Sequence, residues 1–434
     1  MKNNLKKIDM NSEFIKRRKQ LCNSLIEDSL VIVASSSPKQ RNSDADYSYR
    51  QDSNFYYLSG YSEPESVLVL SPGSKHEYIM FCRDRDPERE QWDGFRSGQE
   101  GAKEVFGADK AYSISKINSV MPELMQGKKN IYFSMSADNG LSNWIPMWIE
   151  DLRKNTRAGV EVPENLVSLD SILHEMRLIK SDKEIEIMRK AGSITCEAHN
   201  HAMSSVKPGM FEYQLEAEYL YTFANNGARF PAYNSIVGGG NNSCILHYNE
   251  NNSELNDGDL VLVDAGCEYD YYASDVTRTF PVGKKFTEEQ KLIYEVVLEA
   301  HKKSMEEIKP GNPWNKTHDK SVEVITDGLN DLGLLQGNQD YSKFYMHRIG
   351  HWLGMDVHDV GNYKRDGEWR DFEPGMVMTI EPGIYILDSL EDVDTKWLGI
   401  GIRIEDDVLV TETGFEILTP DSPREISDIE NLKA

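Results

Sequence analysis

Residues 259–280 read DLVLVDAGCEYDYYASDVTRTF, and this stretch decides how the second half of the chain is interpreted. Its opening apolar alternation predicts a buried strand, yet Asp264 interrupts that strand near its end. Asp275 stands in the same context eleven residues later. A buried carboxylate costs several kcal/mol unless a positive group pairs with it. We therefore expect a cation beside both aspartates.

The residues between the two aspartates are suited to a hairpin turn. Gly266 is followed by the polar residues CEYD at 267–270, a pattern typical of a turn between strands. Such a hairpin would bring Asp264 and Asp275 side by side, where two carboxylates repel each other unless they share protons or cations. At neutral pH, bound metal is the simpler solution.

Three histidines lie within twelve positions in the stretch 344–361, FYMHRIGHWLGMDVHDVG. His347 and His351 have the i, i+4 spacing that binds zinc in HExxH enzymes, but Arg348 occupies the position of the glutamate in that motif. A lone histidine in an apolar run is usually a core residue. Three of them beside WLG, with His358 the last, indicate the wall of an active site.

Two further acids end apolar strands, Glu381 in TIEPG (379–383) and Glu405 in GIRIEDD (401–407). Either alone would be an ordinary salt-bridged or solvated carboxylate. Four such acids and one histidine form a set of oxygen ligands with a single imidazole, and their charge of −4 matches two divalent cations. Oxygen-rich ligation without thiolate favours Mn²⁺, with Co²⁺, Zn²⁺, Fe²⁺ and Mg²⁺ as alternatives. The candidate ligands are Asp264, Asp275, His351, Glu381 and Glu405.

The first part of the chain reads as alternating helices and strands. Apolar residues recur at helical spacing from Phe14 to Ile26, and strand-like runs follow at 29–36, 66–71, 78–82 and 130–134. The pattern changes at HEMRLIKS (174–181), after which Ser181 and Glu184 form a helix capping box. We therefore predict an N-terminal α/β domain over residues 1–175 and a second domain over residues 176–434.

The composition of the 434 residues, 39% hydrophobic and 28% charged, is typical of a soluble globular enzyme. The polar N-terminal sequence lacks the apolar run of a secretory signal and no stretch resembles a membrane span, so we expect a cytoplasmic protein. Five scattered cysteines without a CxxC pair indicate reduced thiols rather than zinc ligands. A net charge of −24 argues against nucleic-acid and anionic-membrane partners.

The motifs, taken in order, resemble the pita-bread metallopeptidases, the group that contains methionine aminopeptidase, prolidase and aminopeptidase P. The similarity is greatest to bacterial aminopeptidase P, and it covers nearly the whole chain. The stretches that carry it are 41–70 (RNSDADYSYRQDSNFYYLSGYSEPESVLVL), 174–181 (HEMRLIKS), 231–252 (PAYNSIVGGGNNSCILHYNENN), 262–282, 346–361, 373–386 (EPGMVMTIEPGIYI) and 399–414 (GIGIRIEDDVLVTETG).

This resemblance implies a fold and a metal centre. The N-terminal α/β domain would shape the active site and the oligomer, and the α+β C-terminal catalytic domain would be a curved antiparallel sheet covered by helices. Two divalent ions per subunit are implied. Asp264 would bind one ion and Asp275 and Glu405 would bridge the pair, while His351 and Glu381 would complete the shell of the other ion.

The same family resemblance also implies which residues form the substrate pocket. His247, His347 and His358 would line the pocket and take part in catalysis, and Glu381 would also help to move a proton. Trp92, Tyr363 and Arg403 match positions that contact or support the substrate. In the family this tryptophan reaches the site of a neighbouring subunit, which implies a homotetramer or a homodimer.

The implied activity is release of the N-terminal residue from peptides with proline in second position, through a bridging hydroxide between the two metals. A prolidase, which cleaves only Xaa-Pro dipeptides and needs a cationic group for their free carboxylate, is the nearest alternative. A metal-free creatinase-like hydrolase and a non-enzymatic pita-bread binding module are disfavoured because all five ligand types are present. Two departures from the family, Arg348-Ile349-Gly350 and GGGNN (238–242), concern the shape of subsites.

Overall fold

The computed structural model describes residues 8–135, 139–335 and 340–433. The chain divides into two compact units, Met1–His174 and Glu175–Ala434. In its described residues the first unit contains, wholly or in part, seven α-helices: α1 (Asn11–Asn23), α2 (Ser53–Ser59), α3 (Pro87–Asp93), α4 (Gly98–Glu104), α5 (Ile117–Met125), α6 (Leu141–Arg153) and α7 (Asp170–Leu178). Its strands are β1 (Ser29–Ala34), β2 (Gln40–Asn42), β3 (Ala45–Asp46), β4 (Val67–Leu70), β5 (Tyr78–Cys82), β6 (Lys110–Ser113), β7 (Asn130–Phe133) and β8 (Asn165–Ser168).

The first unit is built around a six-stranded mixed sheet in the order β6-β5-β4-β1-β7-β8. Strand β4 is antiparallel to β1 and β5, and the other neighbours are parallel. The four strands predicted from apolar runs are confirmed as β1, β4, β5 and β7. Helix α1 ends at Asn23, where the Ser24 amide bonds to the carbonyl of Leu21, so the predicted helical position of Ile26 is wrong.

The second unit contains five helices and thirteen strands in the described residues. The helices are α8 (Asp182–Ser205), α9 (Glu212–Asn225), α10 (Glu288–Glu306), α11 (Asn315–Asp331) and α12 (Ile426–Leu432). The strands are β9 (Phe230–Pro231), β10 (Ile236–Gly239), β11 (Leu260–Asp264), β12 (Cys267–Tyr269), β13 (Tyr272–Ala273), β14 (Thr277–Pro281), β15 (Lys364–Arg365), β16 (Glu368–Trp369), β17 (Val377–Ile380), β18 (Gly383–Ile386), β19 (Ile400–Arg403), β20 (Asp406–Val410) and β21 (Phe415–Ile417).

The strand pairs described for this unit are antiparallel, as expected for the second domain. They form the orders β10-β11-β14, β13-β12-β9, β17-β20-β21, β18-β19 and β15-β16. The long helices bury their apolar faces on these strands. Ile194 of α8, Tyr219 of α9, Val297 of α10 and Ile325 of α11 share one core with Val263 of β11. Burial of this apolar surface is the main stabilising contribution to the unit.

Alternation along the central strands decides which side chains face the helices. Val263 of β11 packs in the helix-covered core, whereas Leu262 belongs to a separate cluster. Asp264 lies two residues after Leu262 and therefore shares its face of the strand. Its carboxylate is thus on the face turned away from those helices. In β19, Ile402 packs in the core, so the side chain of its neighbour Arg403 is on the opposite face of the strand. Polar side chains therefore collect on one face of the strands.

The hairpin predicted between the two aspartates is present. Strands β12 and β13 pair through a two-residue turn in which Asp270 and Tyr271 have φ of 46° and 73°. Positive φ at both positions matches the right-handed twist of a tight hairpin. A Cβ on Gly266 would lie 1.7 Å from the carbonyl oxygen of Ser274, so this close approach of the backbones needs glycine.

Among the described residues, no helix has the length and apolar character of a membrane span.

Candidate metal centre

The two aspartates of the acidic strands meet at one tyrosine. Tyr233 Oη lies 2.6 Å from Oδ1 of Asp264 and 2.5 Å from Oδ1 of Asp275. Asp264 ends β11 and pairs in register with Thr277 of β14, two residues beyond Asp275. Strand pairing and alternation thus bring both carboxylates to the same face. The tyrosine hydroxyl holds them there.

His351 is positioned by backbone contacts with β17. Its amide donates to Oγ1 of Thr379 at 3.1 Å, and its carbonyl accepts from the Thr379 amide at 2.9 Å. The imidazole Nδ1 lies 3.0 Å from the carbonyl oxygen of Trp352, which assigns a hydrogen to Nδ1, so that Nε2 carries the free electron pair whenever the ring is neutral. Nε2 lies 3.3 Å from Oδ2 of Asp275 and 3.7 Å from Oε1 of Glu381.

The two glutamates are each held by a threonine and by the backbone. Oγ1 of Thr277 donates to Oε2 of Glu405 at 2.6 Å, and Oγ1 of Thr379 lies 3.3 Å from Oε1 of Glu381. The amide of Glu405 donates to the Thr277 carbonyl at 3.1 Å, and that of Glu381 donates to the Ile349 carbonyl at 2.8 Å. These contacts restrict the rotamers of both carboxylates.

A tight donor group results from this arrangement. Asp275, His351 and Glu405 each offer one donor atom, and these three atoms lie within 4.8 Å of one another. Asp264 and Glu381 are joined to the group through the Tyr233 contact and the His351 contact. The structure therefore brings together all five residues that the sequence singles out as candidate ligands.

Arg403 is buried and connects two parts of the site. Nη2 of Arg403 lies 2.7 Å from Oδ2 of Asp264, Nε lies 3.1 Å from Oγ1 of Thr277, and Nη1 lies 2.9 Å from Oη of Tyr385. Oη of Tyr385 lies 2.8 Å from Nε2 of His347. The guanidinium is thus engaged on its three nitrogens, and one relay of hydrogen bonds links it to the histidine.

The electrostatics of the group reflect crowded negative charge. Burial raises the pKa of Glu381 to about 7, although the charges of His351 and Arg403 oppose the shift. Burial also raises the pKa of Glu405 well above its usual range, and the charges of Asp275 and Glu381 add to this effect. Full ionisation of the four acids would therefore place more negative charge here than one arginine and one histidine balance.

Asp275 and His351 behave as a pair. Burial opposes ionisation of Asp275, but the hydrogen bond and charge of His351 outweigh it, so the pKa of Asp275 falls below its ordinary value. Burial likewise lowers the pKa of His351, yet the contact with Asp275 and the charge of Glu381 raise it to about 9. The imidazole and the carboxylate stabilise each other's charged forms.

Most of the candidate residues line one cavity of about 490 Å³. Its polar wall consists of the five candidate ligands together with Tyr233, Asn234, His247, Asn249, His347, Arg348, His358 and Arg403, and its apolar wall includes Ile236, Leu246 and Val357. His358 packs edge-on against His351, with ring centroids 4.3 Å apart. His247 and His358 are exposed to the cavity, and neither imidazole has a hydrogen-bond partner among the described residues.

His347 differs from the other two cavity histidines because both of its nitrogens are engaged. Nδ1 lies 2.8 Å from the carbonyl oxygen of Arg348, and Nε2 lies 2.8 Å from Oη of Tyr385. Burial, assisted by the charge of Arg403, lowers the pKa of His347 to about 3, so the ring is neutral at physiological pH. Nδ1 carries the hydrogen in this tautomer.

Two predicted substrate residues lie elsewhere. Tyr363 is not among the cavity-lining side chains that the structure describes; its ring stacks on Trp352 at 5.2 Å, and its hydroxyl accepts from the Trp352 amide at 2.9 Å. Trp92 belongs to the first unit, on α3, and is 85% exposed.

Three polar residues of the site escaped the sequence analysis: Tyr233, Thr277 and Tyr385. Strand parity could have identified Thr277, which lies two residues after Asp275 and shares its face. Tyr385 follows Glu381 by four residues and could have been found in the same way. Tyr233 lies in a short loop between β9 and β10, where no periodic pattern marks it.

The catalytic half of the chain has a family match. A sequence model of metallopeptidase family M24 matches residues 186–412, which is more than half of the chain. The chain belongs to metallopeptidase family M24. The predicted hydrolase class is therefore confirmed for this M24 protein.

Relatives of this M24 chain match it over nearly its whole length. The aminopeptidase P N-terminal domain matches residues 14–132. A Xaa-Pro aminopeptidase of Escherichia coli (strain K12) is 44% identical over 429 residues, which is 97% of each chain. The solved aminopeptidase of Pseudomonas aeruginosa is 50% identical with a TM-score of 0.96 over 97% of both chains. Zinc-substituted aminopeptidase P of E. coli, solved with product, is 43% identical with a TM-score of 0.95 over 98% of both chains.

These matches confirm the predicted fold class and the resemblance to aminopeptidase P. The first unit has the α/β architecture of the aminopeptidase P N-terminal domain, and the second unit has the pita-bread architecture of M24.

Proposed function

We propose that this protein is a metal-dependent Xaa-Pro aminopeptidase, which releases the N-terminal residue from peptides with proline in second position. The observation that carries the proposal is the convergence of four carboxylates and one histidine on a single cavity of an M24 chain. The similarity to the E. coli Xaa-Pro aminopeptidase over 97% of the chain supports the choice of substrate class.

The donor set fits divalent cations. The Nδ1 hydrogen of His351 points to a carbonyl, which leaves Nε2 available for a metal, as in many histidine-ligated sites. Burial, with a further contribution from the neighbouring acids, raises the pKa values of Glu381 and Glu405, and divalent cations would favour the ionised form of both. Two ions per subunit would be held by these five residues: Asp264 would serve one ion, His351 and Glu381 would serve the other, and Asp275 and Glu405 would serve both.

The oxygen-rich donor set favours Mn²⁺, with Co²⁺, Zn²⁺, Fe²⁺ and Mg²⁺ as alternatives. When bound, the ions supply an ionised water as nucleophile and polarise the scissile carbonyl. The protein's own contribution is to orient the peptide and to stabilise charge on the carbonyl oxygen as it develops.

Two kinds of histidine serve these tasks. The imidazoles of His247 and His358 have unengaged nitrogens in the cavity and can donate to the substrate carbonyl oxygen. His347 acts through position, because Tyr385 and the Arg348 carbonyl occupy its nitrogens. Tyr363 acts indirectly as well, by holding the backbone amide of Trp352 beside His351.

The specificity for proline has a physical rationale in the same cavity. The bond before proline has no N–H, so the site does not have to satisfy that donor. The apolar residues Ile236, Leu246 and Val357 offer a wall for the pyrrolidine ring. The free amino terminus is cationic and is attracted by the acidic side of the cavity.

The test is an assay of purified apoprotein reloaded with Mn²⁺, Co²⁺, Zn²⁺ or Mg²⁺. We expect hydrolysis of Ala-Pro-Ala and negligible hydrolysis of Ala-Ala-Ala. Cleavage of Ala-Pro without cleavage of Ala-Pro-Ala would identify a prolidase, the second candidate, for which the cavity residue Arg348 is the favouring observation. Absence of bound metal and of any peptidase activity would leave the non-enzymatic binding role.

The assembly and the location are proposed on the same basis. A homotetramer or homodimer would allow Trp92, which is exposed on α3, to contribute to a neighbouring subunit's site. Sedimentation analysis of the wild-type protein and a Trp92→Ala variant tests this point. A cytoplasmic location is proposed from the sequence, and fractionation of cells tests it.

A further inference from the structure

One cation in the cavity, Arg348, has no hydrogen-bond or ion-pair partner among the described residues. Arg348 lines the cavity and is exposed, and its guanidinium forms no ion pair or hydrogen bond with any described residue. The other cavity arginine, Arg403, is buried and bonded to Asp264, Thr277 and Tyr385. Arg348 is therefore the cavity's available arginine within the described part of the chain.

The backbone that carries Arg348 is fixed beside the candidate ligands. Its carbonyl accepts from Nδ1 of His347, and the carbonyl of the next residue, Ile349, accepts from the Glu381 amide at 2.8 Å. A Cβ at Gly350 would lie 2.0 Å from the Thr379 carbonyl oxygen, so the following residue packs tightly on β17. A rigid backbone of this kind aims the arginine at the cavity instead of leaving it on a free loop.

An aromatic ring supports the guanidinium from one side. The Arg348 Cζ lies 5.9 Å from the ring centroid of Trp369, and Nζ of Lys364 lies 4.5 Å from the same ring. Stacking of this sort orders an arginine without consuming its N–H donors. The donors stay available to a ligand.

The cavity is consequently polarised. Its four carboxylates are buried or half-buried, whereas the unpaired guanidinium of Arg348 is exposed, in a protein whose net charge is −24. A short peptide in water is itself a dipole, with a cationic amino end and an anionic carboxyl end. Electrostatic complementarity orients it with the amino end toward the acids and the carboxyl end toward Arg348.

We propose that Arg348 binds the C-terminal carboxylate of short peptide substrates and thereby makes the enzyme select peptide length and a free carboxyl end. Planar, two-point hydrogen bonding makes arginine well suited to a carboxylate. The inference rests on the proposed Xaa-Pro aminopeptidase activity, since it concerns how the same cavity ranks its substrates.

The experiment compares peptides with a free carboxyl end and the same peptides with a C-terminal amide. Ala-Pro, Ala-Pro-Ala and Ala-Pro-Ala-Ala are assayed in both forms with metal-loaded wild type, Arg348→Gln and Lys364→Gln. Each added residue moves the carboxylate by about 3.5 Å, so one length should match the reach of Arg348. At that length we expect kcat/KM of the wild type to favour the free acid by about 3- to 10-fold, because the arginine is exposed and screened.

The two variants distinguish a direct contact between Arg348 and the peptide carboxylate from a general effect of nearby positive charge. Arg348→Gln should bring the acid-to-amide ratio to within about twofold of one, and raised ionic strength should lower the wild-type ratio.

Three results would overturn the inference: no preference for the free acid at any length, a preference that persists in Arg348→Gln, or an equal loss in Lys364→Gln. Failure of the proposed function would look different, because Ala-Pro-Ala and Ala-Pro-Ala-Ala would then stay uncleaved both as acids and as amides, whether or not Ala-Pro is hydrolysed.

Discussion

Nε2 of His351 lies 3.3 Å from Oδ2 of Asp275, and this contact joins an imidazole to a carboxylate inside a buried group of acids. The two side chains come from segments 76 residues apart in the chain. Their proximity is the relationship on which the proposed metal centre depends.

Asp275→Asn tests that centre directly. The substitution keeps the side-chain size but removes the charge that two cations would share, so metal affinity and kcat/KM should each fall by at least about 100-fold. Metal content after dialysis and hydrolysis of Ala-Pro-Ala are the measurements. Asp388→Asn, at an exposed acid, is the control and should retain both properties. Full metal content in Asp275→Asn would refute its assignment as a ligand.

His358→Ala separates substrate stabilisation from metal binding. His358 lines the cavity and packs edge-on against His351, with an unengaged imidazole. Loss of one donor to the developing oxyanion should lower kcat by about 10²-fold, with bound metal unchanged. His201→Ala, which removes an exposed histidine paired with Glu218 on α9, should leave kcat intact. Unaltered kcat in His358→Ala would contradict the proposed role.

The buried cluster beside the cavity should control stability. Asp359 accepts from Arg177 at 2.6 Å and from Lys180 at 3.0 Å, and all three side chains are buried. Asp359→Asn removes one anionic partner from both cations, although Arg177 keeps Asp356 at 2.7 Å, and should lower the free energy of unfolding by about 3–5 kcal/mol at pH 7. Glu416→Gln, which breaks the exposed pair with Arg189, should change the unfolding midpoint little.

The same cluster predicts a pH dependence. Burial opposes ionisation of Asp359, but the charges of Lys180 and Arg177 prevail and hold its pKa below its ordinary value. Because the folded pKa is lower than the unfolded value of about 3.9, the stabilisation is complete above about pH 5 and declines as pH falls through the folded pKa. Urea unfolding should show the gap between wild type and Asp359→Asn narrowing with acidification. A constant gap across this range would contradict the assignment.

Gly266→Ala tests the close approach that positions the two aspartates. The new Cβ would meet the Ser274 carbonyl at 1.7 Å, so the strands must separate, and we expect destabilisation of about 1–3 kcal/mol with weaker metal binding. Gly414→Ala is the matched control because no atom lies within 4 Å of its added Cβ. Thermal unfolding and metal titration measure the two effects. Equal behaviour of the two variants would exclude a special role for Gly266.

Much of the site was predictable from the sequence because a strand displays its pattern locally. An acid within an alternating apolar strand, such as Asp264 in β11, can be recognised as unusual from the sequence alone, without knowing which residues surround it in the fold. Charge counting then groups the acids, and the tight turn at Asp270 and Tyr271 joins two of them. The family resemblance supplied the residue roles that local patterns do not contain.

Hydrogen-bond partners were not predictable in this way. Tyr233, which contacts both aspartates, lies in a loop without periodic marks, and the engagement of His347 by Tyr385 depends on the packing of separate strands. Tyr363 looked like a pocket residue, yet its hydroxyl is used by the Trp352 amide. Side-chain direction in irregular segments is set by tertiary contacts, not by sequence spacing.

The sequence by itself determined which residues could serve as metal ligands, because burial of charge and strand alternation are local properties. Only the tertiary structure decided which polar groups are already satisfied and which are available to a ligand. Arg403 and Arg348 are both cavity arginines, but the first is bonded on all its nitrogens and the second has no described partner. The physical reason is that hydrogen-bond satisfaction depends on distances between segments remote in the chain.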